Sequence, residues 1–137
     1  MRGTRQDNKL QALKNVPLFG GLSKRDLSAV ARIADELDFP AGKELIRENE
    51  SGRQFFILLE GEAVVRRRGR KVNMLGPGDF FGEIALLSER PTTATVVTTE
   101  PALVAIITRA SFDRLMRTSP QVQLKVLKAL AERVPDE

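Results

Sequence analysis

The 137-residue chain contains no histidine, cysteine, tryptophan or tyrosine, so its seven phenylalanines are its only aromatic side chains. The absence of cysteine excludes disulfides, thiolate nucleophiles and cysteine-based zinc sites. The absence of histidine removes imidazole from both catalysis and metal ligation. An enzyme built from this sequence would have to rely on carboxylates, hydroxyls, lysine and arginine. We therefore expect a binding module that is not an enzyme and holds neither a metal nor a cofactor.

Long hydrophobic runs are also missing. The longest runs cover residues 55–59 and 102–107, far short of the ~18 residues that a membrane span needs. Residues 1–7 contain no apolar segment of the kind found in signal peptides. Lysine and arginine number 22 against 18 acidic residues, a net charge of +4 that is modest for a nucleic-acid binder. We expect a cytoplasmic protein with no membrane partner and no direct contact with nucleic acid.

Hydrophobic periodicity predicts helices at both ends of the chain. Ser23 is a predicted N-cap, and apolar residues recur behind it at spacings of three and four as far as Leu37. Near the other end we predict a short helix over 110–117 and a last helix over 119–134, which a Ser-Pro pair begins. This last helix is apolar over more than half its circumference. It is predicted to pack inside its own domain, to cover a ligand or to meet a second subunit.

Between the helices, short apolar and β-branched stretches alternate with glycine-bearing turns. We predict strands near residues 44–47, 54–59, 63–67, 71–75, 93–99 and 102–107. Short strands with regularly spaced turns favour a jelly roll or barrel over a parallel α/β sheet. The basic run 66–71 falls on a predicted hairpin tip, and we interpret it as solvated charge rather than a nucleic-acid patch.

Residues 80–96, FFGEIALLSERPTTATV, are the segment most informative about chemistry. A strand end meets Gly82, and a short helix begins at Glu83, whose first turn offers free N–H groups to an anion. Ionised Glu83 only accepts hydrogen bonds and therefore suits sugar hydroxyls. The chain is predicted to come back to the site at Thr92 and Thr93, which offer hydroxyls and backbone N–H donors. This pattern indicates a phosphate next to a sugar. Alternatively, Glu83 stabilises the helix N-terminus and the threonines are ordinary strand residues.

The segment resembles the phosphate-binding cassette of the cyclic-nucleotide-binding domain family. The resemblance covers residues 17–134 and includes the flanking sequences ILLEGE at 57–62 and GPGDFFGE at 76–83. It implies a mainly β fold, an eight-stranded jelly-roll barrel with N-terminal helices and C-terminal lid helices. It also implies one domain over 1–137, with its core at 16–134 and no effector domain.

The resemblance further implies a function and a set of partners. The chain would be a regulatory sensor that binds cAMP or cGMP and signals through its C-terminal helix to an effector protein or domain, alone or as a homodimer. By the same resemblance, Glu83 accepts a hydrogen bond from the ribose 2′-hydroxyl and Gly82 leaves room for it. Ile84 and Ala85 offer backbone N–H groups to the cyclic phosphate, and Thr93 lies beside it, as in members that accept cGMP.

The remaining implied contacts surround the base. Val65 and Leu75 fall on strands that line the base pocket in relatives. The last helix resembles the lid that closes over the base, and its candidate lid contacts are Leu124, Leu127 and Leu130.

One position departs from the family pattern. The arginine that pairs with the phosphate in relatives falls at Thr92 in this chain. Its charge-assisted bonds are strong, and their loss costs about 1.5–3 kcal/mol, or one to two powers of ten in affinity. Arg90, two residues upstream, is a candidate substitute. The alternative is a domain that has kept the fold but lost the ligand and serves as a protein-interaction or dimerisation module.

Overall fold

The computed structural model describes residues 5–50, 54–82 and 92–133. Helices lie at both ends of this part of the chain, with eight strands between them. The helical segments are α1 (Arg5–Lys14), a 3-10 turn (Pro17–Phe19), α2 (Lys24–Ile33), α3 (Arg109–Thr118) and α4 (Pro120–Arg133). The strands are β1 (Asp35–Phe39), β2 (Glu44–Ile46), β3 (Gln54–Glu60), β4 (Ala63–Arg67), β5 (Arg70–Leu75), β6 (Phe80–Phe81), β7 (Thr95–Thr98) and β8 (Ala102–Thr108). None of these helices combines the length and the apolar character needed to cross a membrane.

The strands form two antiparallel four-stranded sheets. The first sheet has the order β1-β8-β3-β6 and the second has the order β2-β7-β4-β5. The predicted mainly β jelly roll with flanking helices is confirmed. The two sheets are not closed into a barrel, because within the described residues no strand pairing joins them. The edge strands β2 and β6 have only three and two residues. Such short strands offer few backbone groups for hydrogen bonds to the other sheet.

Strand β3 of the first sheet is buried on both faces. Phe55 and Ile57 of β3 pack against the helices, and we call this the helical core. Phe56 and Leu58, which alternate with them, face the second sheet and belong to the inter-sheet core. Successive strand residues point to opposite faces, so β3 is apolar at consecutive positions because both of its faces are covered.

The phenylalanines occupy both cores. The ring of Phe55 stacks on that of Phe112 with centroids 5.0 Å apart, which joins α3 to β3 in the helical core. In the inter-sheet core, the rings of Phe56 and Phe81 stack at 4.9 Å. Packing rather than base stacking therefore accounts for these aromatic residues.

The predicted extension of the second helix to Leu37 is wrong. Helix α2 ends at Ile33, and Leu37 lies in β1, where it pairs with Val104 and is 47% exposed. The ammonium of Lys9 donates hydrogen bonds to the carbonyls of Ala31 and Ala34, at 2.9 and 2.8 Å. This distant lysine satisfies carbonyls that the helix end leaves unpaired, and local periodicity cannot reveal it.

The predicted helix starts are confirmed. The Ser23 hydroxyl accepts a hydrogen bond from the Asp26 amide at 3.1 Å, as an N-cap does. At the start of α4, the Ser119 hydroxyl accepts from the Val122 amide at 3.4 Å and donates to the Asp26 carboxylate at 3.1 Å. The N-cap of the last helix is thus bonded to the first turn of α2.

Candidate functional site

Several predicted site residues lie outside the part of the chain that the structure describes. These are Glu83, Ile84, Ala85 and Arg90, and their roles stay predictions. The residues on either side of them, Gly82 and Thr92, are described. The described residues of the candidate site are these two and those of the second sheet, its loops and the last helix.

Gly82 is placed by a close approach of two backbone segments. Its φ is +91°, and a Cβ added there would lie 2.7 Å from the Gln54 carbonyl oxygen and 3.2 Å from the Phe56 ring. The left-handed φ favours glycine, and the contact with β3 excludes a larger residue. The fold itself therefore requires glycine here, in addition to the room that Gly82 is predicted to leave for a sugar.

Thr92 is 8% exposed, and its polar groups are engaged with the loop after β2. Its hydroxyl donates to the Arg47 carbonyl and accepts from the Glu50 amide at 3.2 Å. Its own amide donates to the Glu50 carbonyl, and its carbonyl accepts from the Asn49 amide, both at 2.8 Å. Both donors of Thr92 are used inside the protein, as expected of a residue with a structural role, and Thr92 lies before β7 rather than in a strand.

The side chain of Arg47 lies beside this loop but is paired with carboxylates. Its Nε is 2.7 Å from Glu44 Oε1, and one terminal nitrogen is 3.5 Å from Glu50 Oε1. The hydrogen bond with Glu44, and then the charges of both carboxylates, raise the pKa of Arg47 above its usual value. Arg47 therefore stays cationic, but nearby acids already balance its charge.

Thr93, the next predicted ligand residue, is exposed and contacts an arginine. Its backbone carbonyl accepts a hydrogen bond from Arg67 Nε at 3.1 Å. The basic run that contains Arg67 was predicted to be solvated charge at a hairpin tip. The position of Arg67 two residues after Val65 on one strand is the signal that associates it with the site.

Val65 and Leu75 lie on the inner face of the second sheet. Leu75 is buried in the inter-sheet core, and the half-buried Val65 packs against it. Register places Val65 opposite Val96, and Leu75 opposite Ala63. The two residues predicted to line the base pocket thus share one apolar wall between the sheets.

The three predicted lid residues do not share one environment. Leu124 and Leu127 are 51% and 55% exposed, whereas Leu130 packs against the helical core. The buried face of α4 consists of Val122 and Val126, which belong to the same helical core. In this arrangement α4 is packed on the helical side of the first sheet and presents two leucines to solvent.

A metal centre finds no support in the described ranges. Among the residues of 5–50, 54–82 and 92–133, no group of three or more acidic, histidine or cysteine side chains is placed to hold an ion.

Comparison with known proteins identifies a family match. The family model described as "Cyclic nucleotide-binding domain" matches residues 36–119. A cAMP-dependent protein kinase regulatory subunit from Neurospora crassa is 34% identical over 124 residues, which are 89% of this chain and 32% of the relative. This chain thus spans about a third of that protein's length.

Solved structures extend the comparison to ligands. The regulatory domain of Toxoplasma gondii protein kinase A with cAMP is 32% identical, with a TM-score of 0.81, and the match covers 93% of this chain and 50% of that one. The regulatory subunit of a cAMP-independent protein kinase A from Trypanosoma brucei is 27% identical, with a TM-score of 0.82 and coverage of 93% and 46%. A variant of the latter, with one glutamate and one valine changed to alanine and a threonine changed to arginine, is bound to cAMP.

Proposed function

This chain belongs to the cyclic nucleotide-binding domain family, and on that premise we propose that it is a regulatory domain that binds cAMP or cGMP between its two sheets. The observation that carries the proposal is the apolar wall formed by Val65 and Leu75, next to the strand that leads into Gly82 and Glu83. The wall suits a flat base, and the acceptor-only carboxylate of Glu83 suits ribose hydroxyls.

We expect the affinity for a cyclic nucleotide to be lower than in relatives with an arginine at position 92. Thr92 brings no positive charge, and its two donors are already used. The Trypanosoma brucei variant supports this expectation, since a threonine-to-arginine change is among the three in the cAMP-bound form of a cAMP-independent subunit. The altered glutamate lies seven residues before that threonine. This chain has Ala85 at the corresponding spacing before Thr92.

Signalling is proposed to pass through α4. The exposed Leu124 and Leu127 form an unpaired apolar edge that can close over a bound base. Closure would shift an equilibrium between two arrangements of the helix. The effector is proposed to be a protein, because the kinase relatives are named as regulatory subunits and this chain spans only part of their length.

A thermal-shift titration with cAMP, cGMP and 5′-AMP tests the proposal. A ligand that binds only the native state raises the melting temperature by mass action. We expect cAMP or cGMP to raise it more than 5′-AMP does. No shift with either cyclic nucleotide at millimolar concentration would contradict the proposal.

The second candidate is a domain that has lost its ligand and acts as a protein-interaction or dimerisation module. The internal hydrogen bonds of Thr92 favour it, since they replace a ligand contact with a structural one. Under this alternative the melting temperature does not respond to any nucleotide, and light scattering detects a dimer whose population no nucleotide changes.

A further inference from the structure

The phosphate site lacks its arginine at position 92, so another cation near Thr93 would have particular importance. Of the arginines that contact this region in the described residues, Arg47 is neutralised by Glu44 and Glu50. Arg67 forms no ion pair within the same ranges and lies against the backbone of Thr93. Of these two arginines near Thr93, Arg67 is therefore the one whose positive charge no carboxylate balances within the described residues.

Strand register places Arg67 on the side of the ligand wall. In the pairing of β4 with β7, Val65 lies opposite Val96, and both contact the inter-sheet core. The register of β4 with β5 shifts after Val65, but the extra residue, Val72, is on β5, and the register of β4 with β7 continues unbroken to Arg66. Side chains therefore still alternate along β4, so Arg67 shares the face of Val65 whereas Arg66 points to the other face. The guanidinium of Arg67 thus lies beyond Val65, on the same face as the apolar wall, and adds a positive charge there.

The backbone around Arg67 is held in place. The amide of Arg68 donates to Glu48 Oε1 at 2.9 Å, and the Glu48 amide donates to the Thr95 hydroxyl at 3.0 Å. Arg68 has a φ of +54°, which turns the chain at the end of β4. Hydrogen bonds of Glu48 therefore connect the β4–β5 hairpin to the start of β7. They hold the backbone next to Arg67 in position.

The guanidinium of Arg67 has N–H donors that are not used in the described part of the chain. Arginine carries five N–H donors, and the Nε–H of Arg67 is used by the Thr93 carbonyl. In the described part of the chain, its two terminal nitrogens have no hydrogen-bond partner. Two parallel donors on one edge match two oxygens of a phosphate.

We propose that Arg67, held by the Thr93 carbonyl, binds the phosphate of the cyclic nucleotide in place of the arginine that is absent at position 92. This inference rests on the proposed function and names the residue that gives the site its preference for a phosphate. Thr93, whose carbonyl orients Arg67, is exposed, and we expect its hydroxyl to be a second donor to the phosphate. Arg90, the substitute suggested by the sequence, is not needed in this arrangement.

Calorimetric titration with cAMP tests the proposal on the unaltered protein, Arg67→Gln and Arg66→Gln. Arg66 is the matched control, because it removes the same charge from the adjacent residue on the opposite face of β4. We expect Arg67→Gln to weaken cAMP binding by about 10- to 100-fold and Arg66→Gln to change it less than twofold. The ¹⁵Nε signal of Arg67, assigned by its loss in Arg67→Gln, should shift on addition of cAMP.

Two results would overturn the role of Arg67 while leaving the proposed function intact. One is binding to Arg67→Gln within twofold of the unaltered protein. The other is an equal loss for both variants, which would indicate a general effect of surface charge. If the unaltered protein binds neither cyclic nucleotide, the proposed function fails, and this inference fails with it.

Discussion

The hydroxyl of Thr92 donates a hydrogen bond to the backbone carbonyl of Arg47, and the same hydroxyl accepts from the amide of Glu50. The Thr92 side chain thus links the segment that leads into β7 to the loop that follows β2. The family resemblance implies a phosphate-binding arginine at this position, whereas the threonine present forms hydrogen bonds within the protein. We therefore expect stability and ligand affinity to be opposed at this residue.

Replacing Thr92 with arginine should change both properties in opposite directions. We expect Thr92→Arg to increase cAMP affinity by about 10- to 100-fold, because the arginine would form two charge-assisted hydrogen bonds with the phosphate. The same change removes the bonds to Arg47 and Glu50 and should lower the free energy of unfolding. Calorimetry and urea denaturation measure the two effects.

Thr92→Val is the matched control, since it removes the hydroxyl without adding charge. It removes the hydroxyl's two hydrogen bonds, but the Glu50 amide keeps its 3.3 Å bond to the Arg47 carbonyl, so the cost should be about 0.5–1.5 kcal/mol. Its cAMP affinity should equal that of the unaltered protein. An unchanged affinity in Thr92→Arg would mean that the phosphate does not lie near this position.

Gly82→Ala should destabilise the fold even without ligand. The new Cβ would lie 2.7 Å from the Gln54 carbonyl oxygen at a φ of +91°, so we expect a loss above about 2 kcal/mol. Gly42→Ala is the control, because Gly42 has a φ of +86° and no atom within 4 Å of the added Cβ. It should lose only about 1 kcal/mol. Equal losses in urea denaturation would show that the contact with β3 is unimportant.

The bond between Ser119 and Asp26 should couple the two ends of the chain energetically. Ser119→Ala removes the N-cap of α4 and should cost about 1 kcal/mol. In a double-mutant cycle with Asp26→Ala we expect a coupling energy of about 0.5–1.5 kcal/mol. Additive losses would show that the 3.1 Å contact contributes nothing to stability.

Substitutions on α4 should separate a lid role from a packing role. Leu124→Gln and Leu127→Gln alter exposed side chains, so we expect the free energy of unfolding to stay within about 0.5 kcal/mol. If the leucines close over the base, cAMP affinity should fall several-fold. Val126→Ala, in the helical core, should instead cost about 1–3 kcal/mol. Unaltered affinity in both leucine variants would contradict the lid.

Residue patterns were sufficient for most of the architecture. The strands from β3 to β5 and the helix caps at Ser23 and Ser119 follow from alternation, glycine-bearing turns and capping residues, all of which act over a few positions. Strand β6 has only two residues, which are too few to show the alternation of apolar and polar residues that predicts a strand. The carbonyls at the end of α2 accept hydrogen bonds from Lys9, more than twenty residues away.

The sequence supports a candidate site where a local motif carries it and gives no signal where distant segments meet. Gly82 and Thr92 were proposed from the cassette sequence, but their contacts with Gln54 and Arg47 span long separations. The contact of Arg67 with Thr93, 26 residues further along the chain, could not be predicted for the same reason. The local signal for Arg67 is its position two residues after Val65 on one strand, and the basic run that contains it was interpreted as solvated charge.

Methyl NMR of the unaltered protein during a titration with cAMP and cGMP tests the central claim most directly. The base is proposed to lie on the wall formed by Val65 and Leu75, so their methyl signals should shift with a single saturating curve. Signals of Val122 and Val126, in the helical core, report any movement of α4. The absence of shifts at Val65 and Leu75 at millimolar cAMP and cGMP would contradict the account.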